Sequence, residues 1–495
     1  MTGLSLARVK GMLNHPVIDA DGHWLEVQPV FLDYLKDIAG PELAHRYAAE
    51  GAGGNLHSRG WYNLSQVERS KRRVTRPGWW SYPSDTETRA AGILPSIYRQ
   101  RLDDWGIDFA LVYPTMGLVL PNAPDLDMRR ALVRAYNVMV ADLFSPYADR
   151  MTPAGICALN TPAEAIEEAE YAVKILGLKV LVMNCTVPRT IESADGLADP
   201  AMRRIYIDCL AMDSLYDYDA VWRKMVDLKV AVTDHTVSSG WPDRSSPTSY
   251  VANHLGHFAQ AHHAFARGLF LGGVTERFPG LTFGFLEGGV GWGYNLYTDL
   301  QGHWKKRNKA YMHRHLKPEN IDRQELRRLL EKNSVGTRFH DKIDEIVDRN
   351  LYALSPNLSQ EALTARDIDS DEFANVNIGG QEDFHRLVLR TFYFGCEADD
   401  PVTAWAFDSR GEAPLKAMLG SDISHFDVTD PAEVLPEAWE MVDRGLITED
   451  DFRAFTFGNV AELHTRMNPD FFRGTAVESD IAAELGQKGQ GGRSA

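Results

Sequence analysis

The stretch Val17-Ile-Asp-Ala-Asp-Gly-His-Trp-Leu-Glu26 decides how the rest of the chain is read. Val17, Ile18 and Ala20 suit a buried β-strand, and Asp21 and His23 sit two apart, so their side chains leave the strand on one side. Glu26 follows three residues later, near enough to turn back toward the same space. Carboxylate and imidazole groups converging at a strand end suit Zn²⁺, Mn²⁺ or Fe²⁺. The alternative is a strand followed by an N-capping aspartate and a solvated glutamate.

Outward from this stretch the chain alternates. Phe109–Thr115, Thr152–Leu159, Leu178–Met183 and Val230–His235 read as apolar strands. Between them, helices are expected through Arg101–Trp105, from Asp127 to about Tyr147, from the capping box Thr161-Pro-Ala-Glu164 to Gly177, and over most of Ala201–Lys229 with a break near Asp213. Repeated βα units with continuous apolar strands imply a parallel sheet, and this many predict an α/β fold of the (β/α)₈ TIM-barrel class. Such barrels carry their chemistry at the C-terminal strand ends, so His235, closing the fifth strand, is expected to face Asp21 and His23. The sixth strand runs through Thr282–Glu287 into Gly288-Gly289, the seventh is Arg390–Cys396, and the eighth is Leu415–Gly420, followed by Ser421-Asp422-Ile-Ser-His425. A lone buried carboxylate is costly unless paired or bound to metal, which brings Glu287 into the candidate site. Asn253–Arg267 is rich in histidine, and His257 or His262 is expected to reach the same place.

Two insertions interrupt the barrel, which is otherwise expected to be one domain over 1–485. The segment 29–92, after the first strand, reads as loop-rich without a clean period. Its Trp61, Tyr62, Trp79, Trp80 and Tyr82 are expected to cover the barrel mouth or a subunit interface. The segment 317–381, between strands six and seven, is polar, with short helices expected at Leu326–Leu330 and Asp341–Asn350. A Gly/Gln/Ser-rich tail, 486–495, is expected to be disordered.

With 44% hydrophobic and 24% charged residues, the 495-residue chain has the composition of a globular protein with a large core. Its 52 basic and 69 acidic residues leave a net charge of −17, which argues against nucleic acid and anionic membranes as partners. No apolar run approaches the ~18 residues of a membrane span, and Met1–Leu13 has no signal-peptide core. Cys157, Cys185, Cys209 and Cys396 lack Cys-x-x-Cys spacing and read as reduced residues of a cytoplasmic protein.

Asp21-x-His23-x-x-Glu26 after an N-terminal strand resembles the opening motif of the amidohydrolase superfamily, in its amidohydrolase-2 (decarboxylase-related) branch. Val230–His235, Phe278–Trp292 and Leu419–His425 resemble later segments of that branch in the same order, so the resemblance spans nearly the whole chain. It implies that Asp21, His23, His235 and Asp422 hold a metal. His425 is similar to the histidine of the branch's Ser-Asp-x-Pro-His motif, with Ser424 in place of the proline. Decarboxylases and hydrolases of the branch usually have histidine where this chain has Glu287. Members with a carboxylate there look like dinuclear non-haem hydroxylases. The resemblance therefore implies an O₂-dependent hydroxylase (monooxygenase) acting on a small organic acid or amino acid. It would use two divalent ions (iron, or iron with manganese, zinc being compatible), an electron donor and a homo- or hetero-oligomeric assembly. Glu26, His257, Glu287 and His425 would complete the metal donors, with Asp422, Glu287 and His425 catalytic. The alternatives are a metal-dependent hydrolase or decarboxylase, and a non-catalytic subunit stabilised by metal. Met183-Asn184-Cys185 offers no lysine at the fourth strand end, so a carbamylated-lysine bridge is not expected.

Overall fold

The computed structural model describes residues 4–51, 61–80, 82, 85–184, 186–191, 205–235, 246–349, 371–408 and 414–491. The chain divides into two compact units, Met1–Leu296 with His385–Ala495, and Tyr297–Phe384.

Among the described residues the first unit has ten strands: β1 (Ile18–Trp24), β2 (Phe109–Pro114), β3 (Met151–Cys157), β4 (Val180–Met183), β5 (Val187–Thr190), β6 (Ile205–Asp208), β7 (Val232–Asp234), β8 (Phe283–Phe285), β9 (Phe392–Cys396) and β10 (Lys416–Leu419). Eight of them form one sheet in the order β1-β2-β3-β4-β7-β8-β9-β10. Each neighbouring pair is parallel, as in Leu181 opposite Val232 and Phe285 opposite Phe394. Helices covering one face and packed side chains on the other leave no solvent face, so the strands are apolar runs: β2 reads Phe-Ala-Leu-Val-Tyr-Pro, every residue buried. The turn after β10 closes the ring, with Asp422 N–H donating to Asp21 O (2.9 Å) and His23 N–H donating to Ile423 O (3.0 Å). The expected (β/α)₈ barrel is therefore the fold, and His235 follows β7, its fifth strand.

Several local expectations fail for physical reasons. The segment expected to be mostly helical over 201–229 contains β6, paired antiparallel with β5, and a helix only over Asp219–Leu228. The Asp208 carboxylate takes Arg189, Leu210 N–H (2.8 Å) and Ser214 Oγ (2.7 Å), which folds the chain into a turn, with Leu210 and Asp213 at positive φ. The insertion after β1 opens not with loop but with a helix, Gln28–Glu50, broken at Gly40 (φ 83°) before Pro41. This helix buries only Phe31, Leu35 and Ala44, too few for a visible 3.6-residue stripe. The helix expected at Arg101–Trp105 lies earlier, over Pro95–Arg101, with Pro95 in its first turn. Glu478–Gly491 is helical where a disordered tail was expected to begin, and 492–495 lie outside the described residues. So do 52–60, 350–370, Cys185 and the loop 236–245.

The second unit carries the helices Lys309–His315, Arg323–Asn333 and Ile343–Arg349; the second extends the expected Leu326–Leu330 at both ends, and the third lies within the expected Asp341–Asn350. Asp322 caps the middle one by accepting from Gln324 N–H and Glu325 N–H, both at 2.9 Å. No helix among the described residues is long and apolar enough to cross a membrane.

Gly395 in β9 sits where a Cβ would meet Leu286 Cα at 2.9 Å and Glu287 N at 3.0 Å. Gly395→Ala is expected to push β8 outward at a cost of about 1–3 kcal/mol. Calorimetry should register a lower Tm, and metal analysis a lower occupancy, because the displaced residue is Glu287.

Candidate metal centre

The site begins with a bulge. The pairing of β1 with β2 slips between Asp19 and Gly22, and such an extra residue re-aims the side chains after it. Gly22 is required there, since a Cβ would collide with the Tyr98 hydroxyl and the Asp19 carboxylate. Asp19 is fully buried and accepts from Asp21 N–H (3.1 Å), Ser421 N–H (2.9 Å) and Ser421 Oγ–H (2.6 Å). The first strand's motif and the turn after β10 are thus sewn together below the site.

Above that seam six side chains converge. Two overlapping sets, Asp21/His23/His235/Glu287 and His23/Glu287/Asp422/His425, each bring one donor atom per residue within 4.8 Å of one another and could hold a metal ion. His23 Nε2 lies 3.1 Å from His235 Nε2 and 3.4 Å from both Asp21 Oδ1 and Asp422 Oδ1. His235 Nε2 is 3.1 Å from Glu287 Oε2. His425 Nδ1 is 2.5 Å from Asp422 Oδ1, and its ring stacks on His23 with centroids 4.0 Å apart.

Neighbours fix which nitrogens are bare. His23 Nδ1–H can only donate to Pro114 O (3.1 Å), leaving Nε2 with its lone pair toward the cluster. The Thr115 hydroxyl donates to Trp24 O (2.8 Å), so its oxygen accepts from His425 Nε2–H (3.0 Å) and His425 Nδ1 is bare. Among the described residues, Asp21 Oδ1, both oxygens of Glu287, both of Asp422 and His425 Nδ1 are buried without a hydrogen-bond partner. Groups of this kind need a cation or a proton between them. Glu287 (φ 58°), Asp422 (φ 51°) and Ser424 (φ 89°) hold left-handed backbones that side chains rarely adopt, a strain found where function over-determines geometry.

Three carboxylates and three imidazoles are a donor set that suits a divalent transition ion. The two sets share His23 and Glu287, yet His23 has one bare nitrogen and can serve one ion. Both sets can be filled together only if Glu287, with two oxygens, lies between.

Two residues expected at the centre are elsewhere. Glu26 turns away to accept from Thr115 N–H (3.1 Å), Met116 N–H (2.8 Å) and Gly117 N–H (2.9 Å), and belongs to neither converging set. Those three donors open the turn after β2 and claim the carboxylate. His257 starts the helix His257–Leu271 with its ring against Phe258 (4.5 Å) and is likewise outside both sets. His262 has both nitrogens engaged, with Asp234 Oδ2 (3.0 Å) and Leu286 O (2.7 Å), the residues just before His235 and Glu287. It positions two donors without being one. Asp19 and Thr115 escaped the motif reading because each acts by holding a neighbour in place and not by offering a donor. Of the insertion's aromatics, Trp80 reaches His425 (5.2 Å) and Trp61 is buried, donating to Pro247 O, but Tyr62 and Tyr82 are exposed.

Burial sets the charge states. It raises Asp21 to about 6, partly offset by His235, and raises Glu287 and Asp422 well above the carboxylate range with further help from acidic neighbours. It lowers His23 and His235 to about 3 and His425 well below the usual imidazole value. Without an ion, burial thus favours neutral imidazoles and a proton on Glu287 and Asp422 more than on Asp21.

A solved structure of an amidohydrolase from Mycobacterium avium subsp. paratuberculosis K-10 superposes on this chain with a TM-score of 0.50 at 16% identity, over 91% of this chain and 99% of that one. The two chains share the barrel fold. Looser matches include the 5-carboxyvanillate decarboxylase of Novosphingobium aromaticivorans DSM 12444 in complex with manganese and 4-hydroxy-3-methoxy-5-nitrobenzoic acid (15% identity, 92% and 97% covered, TM-score 0.47). Another is a dihydroxybenzoic acid decarboxylase from Polaromonas sp. JS666 with manganese (13%, 91% and 97%, 0.46). No family model and no curated protein matches by sequence.

Metal donors must be deprotonated, and here the carboxyls, not the already neutral imidazoles, carry the protons. Uptake of Zn²⁺ or Mn²⁺ by chelator-treated protein near pH 6.5 is expected to release protons and to weaken steadily toward pH 5. Calorimetric titration in buffers of different ionisation enthalpy checks both; proton-neutral uptake would contradict the charge states above.

Proposed function

We propose that this chain is a metal-dependent hydrolase acting on an amide or ester of a small organic molecule. The observation that carries the proposal is the set of six buried donors with unpartnered oxygens and nitrogens at the C-terminal mouth of the barrel. Asp21, His23, His235 and Glu287 would hold one ion, with Glu287 available to share a second with Asp422 and His425. An ion held there would polarise a substrate carbonyl and make water a stronger acid at neutral pH.

The chain's own groups do the rest. Asp422 has both oxygens free of hydrogen bonds, so it can take a proton from attacking water and return it to the leaving group. His425 Nδ1, 2.5 Å from Asp422 Oδ1, shares that proton while Thr115 holds the ring. Trp80 stands over His425 and keeps bulk water off the pair.

Decarboxylation is a second reading, favoured by the protons that burial holds on Glu287 and Asp422, since such a carboxyl can protonate the carbon left by CO₂. The O₂-dependent hydroxylation expected from the sequence rested on the carboxylate at position 287. The Asp422–His425 pair supplies a proton carrier of the kind that both hydrolysis and decarboxylation use.

Protein loaded with zinc, manganese or iron and assayed under nitrogen should turn over members of a panel of N-acyl compounds, esters and carboxylic acids. Chromatography and CO₂ release separate hydrolysis from decarboxylation. Asp422→Asn is expected to lower kcat by about 10²–10⁴-fold while His23, His235 and Glu287 keep an ion bound. Turnover that appears only in air, with iron and stoichiometric O₂ consumption, would sink the proposal and restore the hydroxylase.

A further inference from the structure

Beside the donors lies a cavity of about 230 Å³ lined by His254, His257, Phe258, Glu287, Glu397 and Asp400, with Gly288 and Gly289 leaving its floor bare. Among the described residues lining it there is no lysine or arginine. Asp400 Oδ1 accepts from Val402 N–H (2.9 Å), while its Oδ2 faces Gly289, where an added Cβ would lie 3.0 Å away. Glu287, one of the six donors, stands on the same wall, so the cavity adjoins the centre and would hold a part of the substrate next to it.

We propose that this cavity is the subsite for a positively charged amine group of the substrate. The inference rests on reading the neighbouring donors as a metal centre. Even with one divalent ion in place, Asp21, Glu287 and Asp422 leave a negative balance, and Glu397 and Asp400 add to it. An anionic group on this side of the ion would be repelled by Glu397 and Asp400, and among the described lining residues only the imidazoles of His254 and His257 could answer it. An ammonium would be attracted by the two wall carboxylates and by the face of Phe258. Glu397 keeps an exposed surface, yet partial desolvation in the cavity and then Asp427, Asp399 and Asp400 push its carboxyl up to about 7, a repulsion that a bound cation relieves. Glu397 and Asp400 belong to neither set of donors that could hold an ion, so the wall is not an extension of the metal centre.

Benzylamine, benzyl alcohol and benzoate serve as probes of one shape and three charges, titrated calorimetrically at pH 7 into metal-loaded protein. Benzylamine is expected to bind at least about tenfold more tightly than benzyl alcohol, with benzoate weakest. Glu397→Gln should remove about that factor without changing metal content, and Glu397→Lys should turn the preference toward benzoate. The proposal is overturned if benzoate binds best to the native protein, or if Glu397→Gln binds benzylamine unchanged. It is also overturned if added metal displaces benzylamine and this extra ion is lost in Glu397→Gln. Benzylamine bound by a protein that takes up no metal would keep the subsite and remove the hydrolase, so the two readings fail separately.

Discussion

The buried carboxylate of Asp19 is the fastening on which the site depends. It binds the backbone of its own strand at Asp21 and both the backbone and the hydroxyl of Ser421, across the seam where an eight-stranded barrel must close. A barrel has no edge only if its first and last strands meet, and here they meet largely through the turns that carry the donors. Closure and assembly of the centre are therefore one event. Asp19 itself is raised to about 7 by burial, against the pull of its three donors, so even this fastening works under electrostatic stress.

The same economy of position explains the strain. Residues 287 and 422 take left-handed backbones at the strand ends, where glycine would be comfortable and where the chain instead keeps carboxylates. Left-handed backbone at a non-glycine residue costs on the order of 1 kcal/mol or more, and burying charged carboxylates together costs more still. Folded without a cation, the centre relieves that burden by holding protons. An ion relieves it better, because it answers all the bare oxygens and nitrogens at once.

The barrel was legible because parallel strands covered on both faces are mostly apolar runs, as β2 and β4 are throughout. The insertion helix Gln28–Glu50 was not, since a helix resting on a surface by three residues leaves no periodic trace. Asp21, His23, His235 and Glu287 were legible as polar groups at the ends of apolar strands, Asp422 and His425 through the resemblance of the segment after the eighth strand, and the structure brings these six together. Glu26 was misread because spacing gives proximity but not direction; three backbone N–H groups at 115–117 outbid the cluster for its carboxylate. His257 and His262 were indistinguishable in a histidine-rich helix. Only the position of Asp234 and Leu286, which no local pattern reveals, makes one a brace and leaves the other at the cavity wall.

The carboxylate at position 287 changes what the centre can do without altering the barrel around it. An imidazole there, usual in the family this sequence resembles, would present one lone pair and serve one ion. Glu287 presents two oxygens, one 3.1 Å from His235 Nε2 and the other free of hydrogen bonds. His23 cannot be shared, because Pro114 O has claimed its other nitrogen. Any second ion must then reach the first through a carboxylate, and Glu287 is the only one common to both sets. The same residue also forms part of the acidic cavity wall, so one carboxylate belongs both to the donor cluster and to the surface beside it.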